Sequence, residues 1–218
     1  MPDAPTNPLT YLITGGETDE ATTPGSEEFA RLLALVRAAA AAGVSLVQLR
    51  EKRLRPRVLC ELAARAAAVL SGSATRLLVN DRADIARAAG AAGVHLTTRS
   101  LEAAVVRRAF GEDFLIGVST HTPGEARAAR DGGADFALFG PVFDTPSKRD
   151  YGPPVGLEKL REAAHALAPF PVLAVGGVGR DNFAQALAAG ARGVAAIRLF
   201  ADADDLPAVV REIRGVNF

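Results

Sequence analysis

The chain has 218 residues, 49% of them hydrophobic, and its 25 Lys and Arg are balanced by 25 Asp and Glu, leaving no formal net charge. That balance argues against a basic nucleic-acid face or a polybasic membrane patch, and the length suits one large domain or two small ones. The lone Cys60 excludes an internal disulfide, the start MPDAPTNPLT has neither the basic nor the apolar region of a signal peptide, and Arg and Gly break the alanine-rich runs short of a membrane span. The expectation is a cytoplasmic protein with small-molecule partners, no nucleic acid and no membrane; homo-oligomerisation stays open.

Taken in order, the chain repeats one unit. A helical stretch closes on glycine and passes directly into a short apolar run, as in AAGVSLVQL, AAGVHL, GGADFALF and AAGARGVAAI. Glycine past a helix end supplies a left-handed cap, and an apolar run without alternation suits a parallel strand buried on both faces. Strands are expected near Leu9–Thr14, Val44–Leu49, Arg76–Asn80, Gly93–Leu96, Phe114–Ser119, Asp135–Phe139, Pro171–Val175 and Gly193–Ile197. Helices are expected near Glu27–Ala42, Pro56–Ser71, Arg82–Ala89, Leu101–Phe110, Pro123–Asp131, Leu157–Ala168, Asn182–Ala189 and Leu206–Ile213. No linker divides them, so the fold class is α/β, a single closed (β/α)8 TIM barrel over residues 1–218. An open doubly wound sheet is the alternative, but no GxGxxG follows the first strand.

In such a barrel the loops after the strands form the active face. The first of these loops, GGETDEATTPGS, is polar and expected to be mobile. Strand two ends in charge: Val47 and Leu49 have one parity, Gln48, Arg50 and Lys52 the other. An amide, a guanidinium and an ammonium converging there suit a phosphate or pyrophosphate; the bland reading is that Arg50, Glu51 and Lys52 are a solvated loop. Asn80 and Asp81 follow strand three, His95 and Thr97 to Ser100 strand four, Ser119 and His121 strand five. The longest loop, GPVFDTPSKRDYGPP, follows strand six, and Gly176, Gly177 and Arg198 end strands seven and eight. Polar and ionisable residues therefore gather at one end of the barrel, which favours the clamp.

These motifs, QLREK, NDRADIA, GVHL, GVSTH, FGPVFDTPSK and AVGGV, stand in one order from about Tyr11 to Ile197. Together they resemble the thiamine-phosphate synthase and thiazole tautomerase family. The resemblance implies a transferase that joins hydroxymethylpyrimidine pyrophosphate to a thiazole phosphate, releasing pyrophosphate with Mg²⁺ as Lewis acid. It implies a substrate-binding set of Gln48, Leu49, Arg50, Glu51, Lys52, Asn80, Ser119, Thr145, Pro146, Ser147, Lys148, Gly177, Ile197 and Arg198. Within it, Gln48, Arg50, Lys52 and Lys148 would hold pyrophosphate and Asn80 and Ser119 the pyrimidine. Thr145, Ser147 and Gly177 would hold the thiazole phosphate, the glycine by letting its N–H approach. Lys148, Arg50, Lys52 and His121 are the catalytic candidates, and Asp81 the metal ligand.

Three departures qualify that picture. The family's synthases continue HxGQxD after strand four, whereas HLTTRS puts Ser100 at the second metal ligand. A hydroxyl is a poor Mg²⁺ ligand beside a carboxylate, and Glu102 is the nearby substitute. A family Ser after strand eight is Arg198, which would tighten phosphate binding or fill the pocket, and the usual ITD of strand one is Ile13, Thr14, Gly15. The alternatives are a metal-independent thiazole tautomerase using His121 as acid and base, and a non-catalytic phosphate-binding barrel. The intact clamp and Asn80-Asp81 pair rank the synthase first. His95 reads as a hydrogen-bonded structural residue, His165 as a surface or packing residue, Asp144 as a loop cap and Asp181 as a helix start.

Overall fold

A computed structural model describes residues 7–145 and 153–216 of the chain. Eight parallel strands pair in sequence order and the last closes on the first. They are β1 (Leu9–Ile13), β2 (Leu46–Leu49), β3 (Arg76–Asn80), β4 (Gly93–Leu96), β5 (Leu115–Thr120), β6 (Phe136–Phe139), β7 (Val172–Val175) and β8 (Gly193–Ala196). Helices α1 (Glu27–Ala42), α2 (Pro56–Leu70), α3 (Ala83–Ala88), α4 (Ala103–Phe110), α5 (Pro123–Asp131), α6 (Gly156–Leu167) and α7 (Phe183–Ala188) alternate with them. After β8 the short helix α8 (Arg198–Ala201) precedes α9 (Leu206–Arg214). The expected (β/α)8 barrel is therefore present, with α8 as an addition to the expected elements.

Strand alternation divides the core in two. Tyr11, Ile13, Leu46, Leu78, Phe136, Leu138, Leu173 and Ala195 point into the barrel. Their neighbours Leu12, Val47, Leu49, Val79, Val94, Ala137, Ala174 and Val194 face outward and pack with helix residues such as Val36, Leu62, Leu160 and Val209. Each large aliphatic side chain contributes ~1.5–3 kcal/mol on burial, so this helix-facing layer, much the larger, supplies most of the hydrophobic stabilisation.

The glycine punctuation works as expected at α1, with one correction further on. Gly43 has φ 75° and its N–H bonds Ala40 O, while Val44 N–H reaches back to Ala39 O. Val44 thus completes the cap, which is why β2 begins at Leu46. In AAGVHL the left-handed residue is the preceding Gly90, with φ 71°. Gly93 itself lies in β4, where a Cβ would stand 1.8 Å from Leu115 O on the adjacent strand. No helix among the described residues is long and apolar enough to cross a membrane.

Candidate active site

Below the C-terminal mouth lies a polar floor built by the inward parity of the strands. Gln48 follows Leu46 on the inner face of β2, is 1% exposed, and donates from Nε2 to Tyr11 Oη at 3.2 Å. Asn80 follows Leu78 on β3 and pairs in register with His95 on β4. His95 is 2% exposed, and its Nε2 lies 2.9 Å from Ser119 Oγ on β5. The rings of Tyr11, His95 and Phe136 meet across the barrel with centroids 5.7–6.2 Å apart. Burial, and then the positive charge of Arg50, push the His95 pKa down to about 3, and burial raises the Tyr11 hydroxyl well above its usual value. Both groups are therefore neutral near pH 7, and His95 is part of the floor itself.

Charge enters one step higher. Arg50, the next inward position after Gln48, is half-buried and acts on His95 through its field. Lys52 does not simply continue the alternation, because β2 ends at Leu49 and the chain turns. It is exposed and lines a rim cavity of about 740 Å³ with Asp19, Glu20, Arg53 and Arg55.

Two members of the expected binding segment have other tasks. The Leu49 side chain is fully buried among the helix-facing residues and packs there. Glu51 is 2% exposed and turns to the loop after β1. Its Oε1 accepts from Thr14 Oγ1 at 2.5 Å and Gly16 N–H at 3.2 Å, and its Oε2 from Thr18 Oγ1 at 2.6 Å and Thr18 N–H at 3.3 Å. Thr14 Oγ1 in turn accepts from Arg50 N–H at 2.9 Å. The loop after β1, expected to be mobile, is fastened by this carboxylate to the base of Arg50, and sequence reasoning missed it.

Asp81 stands exposed after β3 with φ 61°, and its N–H bonds His95 O at 2.9 Å. A left-handed non-glycine residue costs about 1 kcal/mol or more, so the turn that presents this carboxylate is held against a backbone preference. Asp84 is engaged by Arg82 at 2.8 and 2.6 Å, and those bonds hold its carboxyl below the usual range. Ser100 Oγ accepts from Thr97 N–H at 2.8 Å and lies 3.1 Å from Thr97 Oγ1, closing its own loop. Glu102 is exposed at the start of α4. Among the described residues no three His, Cys, Asp or Glu are grouped to hold a metal. The donor set fits Mg²⁺ only as one carboxylate, Asp81, completed by water and substrate oxygens, a mode that Mg²⁺ commonly uses.

On the far side of the mouth, His121 is exposed one residue past β5. Its Nδ1 lies 2.5 Å from Gly140 O, so Nδ1 carries a proton and Nε2 is the basic nitrogen of the neutral ring. Thr145 is buried at 9% exposure; Pro146, Ser147 and Lys148 lie outside the described residues. Ile197 packs at the edge of the inner cluster, and exposed Arg198 opens α8.

At Gly177 the missing side chain has a packing role. Its φ is 67°, and a Cβ there would come 2.5 Å from Asp144 O and 2.8 Å from Phe143. The missing side chain therefore admits the loop after β6, whose Phe143 N–H bonds Gly176 O at 3.0 Å. Asn182, expected only as the start of a helix, locks this corner: Nδ2 donates to Gly177 O and Oδ1 accepts from Gly179 N–H, both at 2.9 Å.

Comparison with known proteins gives one answer. Residues 11–200 match the family model described as thiamine monophosphate synthase. The chain is 51% identical over 174 residues to a Geobacter sulfurreducens protein named provisionally as a thiamine-phosphate synthase, covering 79% of this chain and 81% of that one. It is 42% identical over 184 residues to the thiamine-phosphate synthase of Moorella thermoacetica, covering 84% and 87%. The solved thiamine phosphate pyrophosphorylase from Pyrococcus furiosus is similar at a TM-score of 0.80 and 27% identity, over 97% of this chain and 96% of that one.

Proposed function

This chain belongs to the thiamine monophosphate synthase family and is a transferase of thiamine biosynthesis, and from that premise we propose how its mouth works. The substrates are hydroxymethylpyrimidine pyrophosphate and a thiazole phosphate. The bond from the pyrimidine methylene carbon to the pyrophosphate oxygen breaks, and its electron pair leaves with pyrophosphate. The lone pair of the thiazole nitrogen then forms the new carbon–nitrogen bond. Arg50 takes the leaving polyanion as a planar fork, with Lys52 and Lys148 as point charges. Asn80 and Ser119 hold the pyrimidine. Thr145, Ser147, Gly177 and Arg198 take the thiazole phosphate, and His121 lies across from Arg50.

What supports this reading most is the division between a neutral floor and a charged rim. Tyr11, Gln48, His95 and Ser119 make a floor without net charge, and the His95 pKa of about 3 keeps it so. A protonated histidine there would repel the carbocation that develops on the pyrimidine carbon; the cationic groups sit higher, where the anion departs. Asp81 would hold Mg²⁺ together with pyrophosphate oxygens. That ion, when bound, supplies divalent charge to the leaving group.

The tautomerase and binding-only alternatives gain nothing from the relatives, which are named for synthase activity. The test is kinetic, on Arg50→Ala with both substrates at saturating Mg²⁺. Loss of one partly buried charge-assisted contact to the leaving group lowers kcat/KM by about a hundredfold or more. An Arg50→Ala rate within threefold of wild type would remove Arg50 from the clamp.

A further inference from the structure

Among the described residues only two buried side-chain polar atoms lack a partner, Ser26 Oγ outside the barrel and Nδ1 of His95 in the floor. The other ring nitrogen of His95, Nε2, lies 2.9 Å from Ser119 Oγ. The wall at Nδ1 is apolar: a Cβ on Gly117 would stand 2.8 Å from Nδ1 and 2.3 Å from Phe136 Cζ. Glycine at this position lets the imidazole and the Phe136 ring close on the β5 backbone. A doubly protonated ring would place a hydrogen on Nδ1 with nothing to accept it, so the geometry fits a ring with one N–H. On Nδ1 that hydrogen would be a buried donor with no acceptor, and orphaned N–H groups are rarer in proteins than orphaned acceptors. On Nε2 it has Ser119 Oγ.

We propose that His95 is the positioning residue for Ser119: fixed as the Nε2–H tautomer, it donates to Ser119 Oγ, so that the serine's own hydrogen is directed to an acceptor on the substrate. Resting on the function proposed above, that acceptor is a pyrimidine ring nitrogen. His95 touches no reacting atom and acts through Ser119. Ser119 is then a reader of the heterocycle, because a ring with C–H opposite the serine would leave a desolvated hydroxyl without an acceptor.

Two measurements test it. In protein labelled with ¹⁵N-histidine, the His95 resonances are those lost in His95→Phe; they should show a pyrrole-like Nε2 and a pyridine-like Nδ1. His95→Phe keeps a ring against Tyr11 and Phe136 but removes the donor. It should raise KM for the pyrimidine pyrophosphate about tenfold, the scale of one hydrogen bond, and leave KM for the thiazole phosphate within about twofold. His95→Gln, whose amide N–H can reach Ser119, should recover most of the loss. A pyridine-like Nε2 would overturn the proposal, as would a folded His95→Phe that alters both KM values alike or neither. A wild type without synthase turnover would instead sink the reaction proposed above, while the nitrogen shifts still decide the polarity at His95.

Discussion

Glu51 sits between the cationic residues Arg50 and Lys52, yet every hydrogen bond its carboxylate accepts comes from the β1 side. Glu51→Gln would replace one acceptor oxygen by a donor facing donors, and a buried mismatch of that kind costs ~1–3 kcal/mol. The expected result is a lower urea midpoint and a raised KM for the pyrophosphate substrate; an unchanged melt would mean the loop does not depend on Glu51. Gly177→Val should lose ~1–3 kcal/mol from its positive φ alone, besides the clash with Asp144 O, so its melt shifts before any phosphate affinity can be read. A Gly177→Val midpoint equal to wild type would contradict that corner. His95 makes stability depend on pH with a definite sign. Its folded pKa of about 3 lies below the ordinary 6.5, so between those values the unfolded chain binds a proton that the folded chain refuses. Its contribution is complete above pH 6.5 and falls as the pH drops toward about 3. Wild type should therefore lose more thermal stability than His95→Phe between about pH 7 and pH 5, and equal losses would put the proton elsewhere.

At the scale of elements, the loop from β4 to α4 bears on the proposed Mg²⁺ site. Ser100 spends its hydroxyl on Thr97, so Asp81 stands without a second carboxylate from this loop. Ser100→Asp should lower the half-saturating Mg²⁺ in synthase turnover about tenfold, the equivalent of ~1.4 kcal/mol. No change would mean that the new carboxylate stays folded onto Thr97 N–H as the serine does. Sequence patterns made the eight strands and most helices legible, because glycine caps and apolar runs are local signals. Parity likewise put Gln48 inside and Leu49 outside. What stayed hidden was non-local. Glu51 finds its partners on another strand's loop, Lys52 follows a turn instead of the strand, and α8 is too short to show a helical period.

For the whole molecule, the barrel separates three environments: helix-facing apolar residues outside, a neutral polar floor within, and charge at the rim above that floor. That order suits a reaction in which a cation forms over the floor while a polyanion leaves through the mouth. It also explains why a net charge of zero is compatible with binding two phosphorylated substrates, since the positive charge is local. The most direct measurement follows both products when wild type receives hydroxymethylpyrimidine pyrophosphate, thiazole phosphate and Mg²⁺. Thiamine phosphate and pyrophosphate should appear one for one, with formation nearly abolished by EDTA and by Asp81→Ala. A wild type that forms neither product at saturating Mg²⁺, yet isomerises the thiazole carboxylate phosphate in EDTA, would contradict the account.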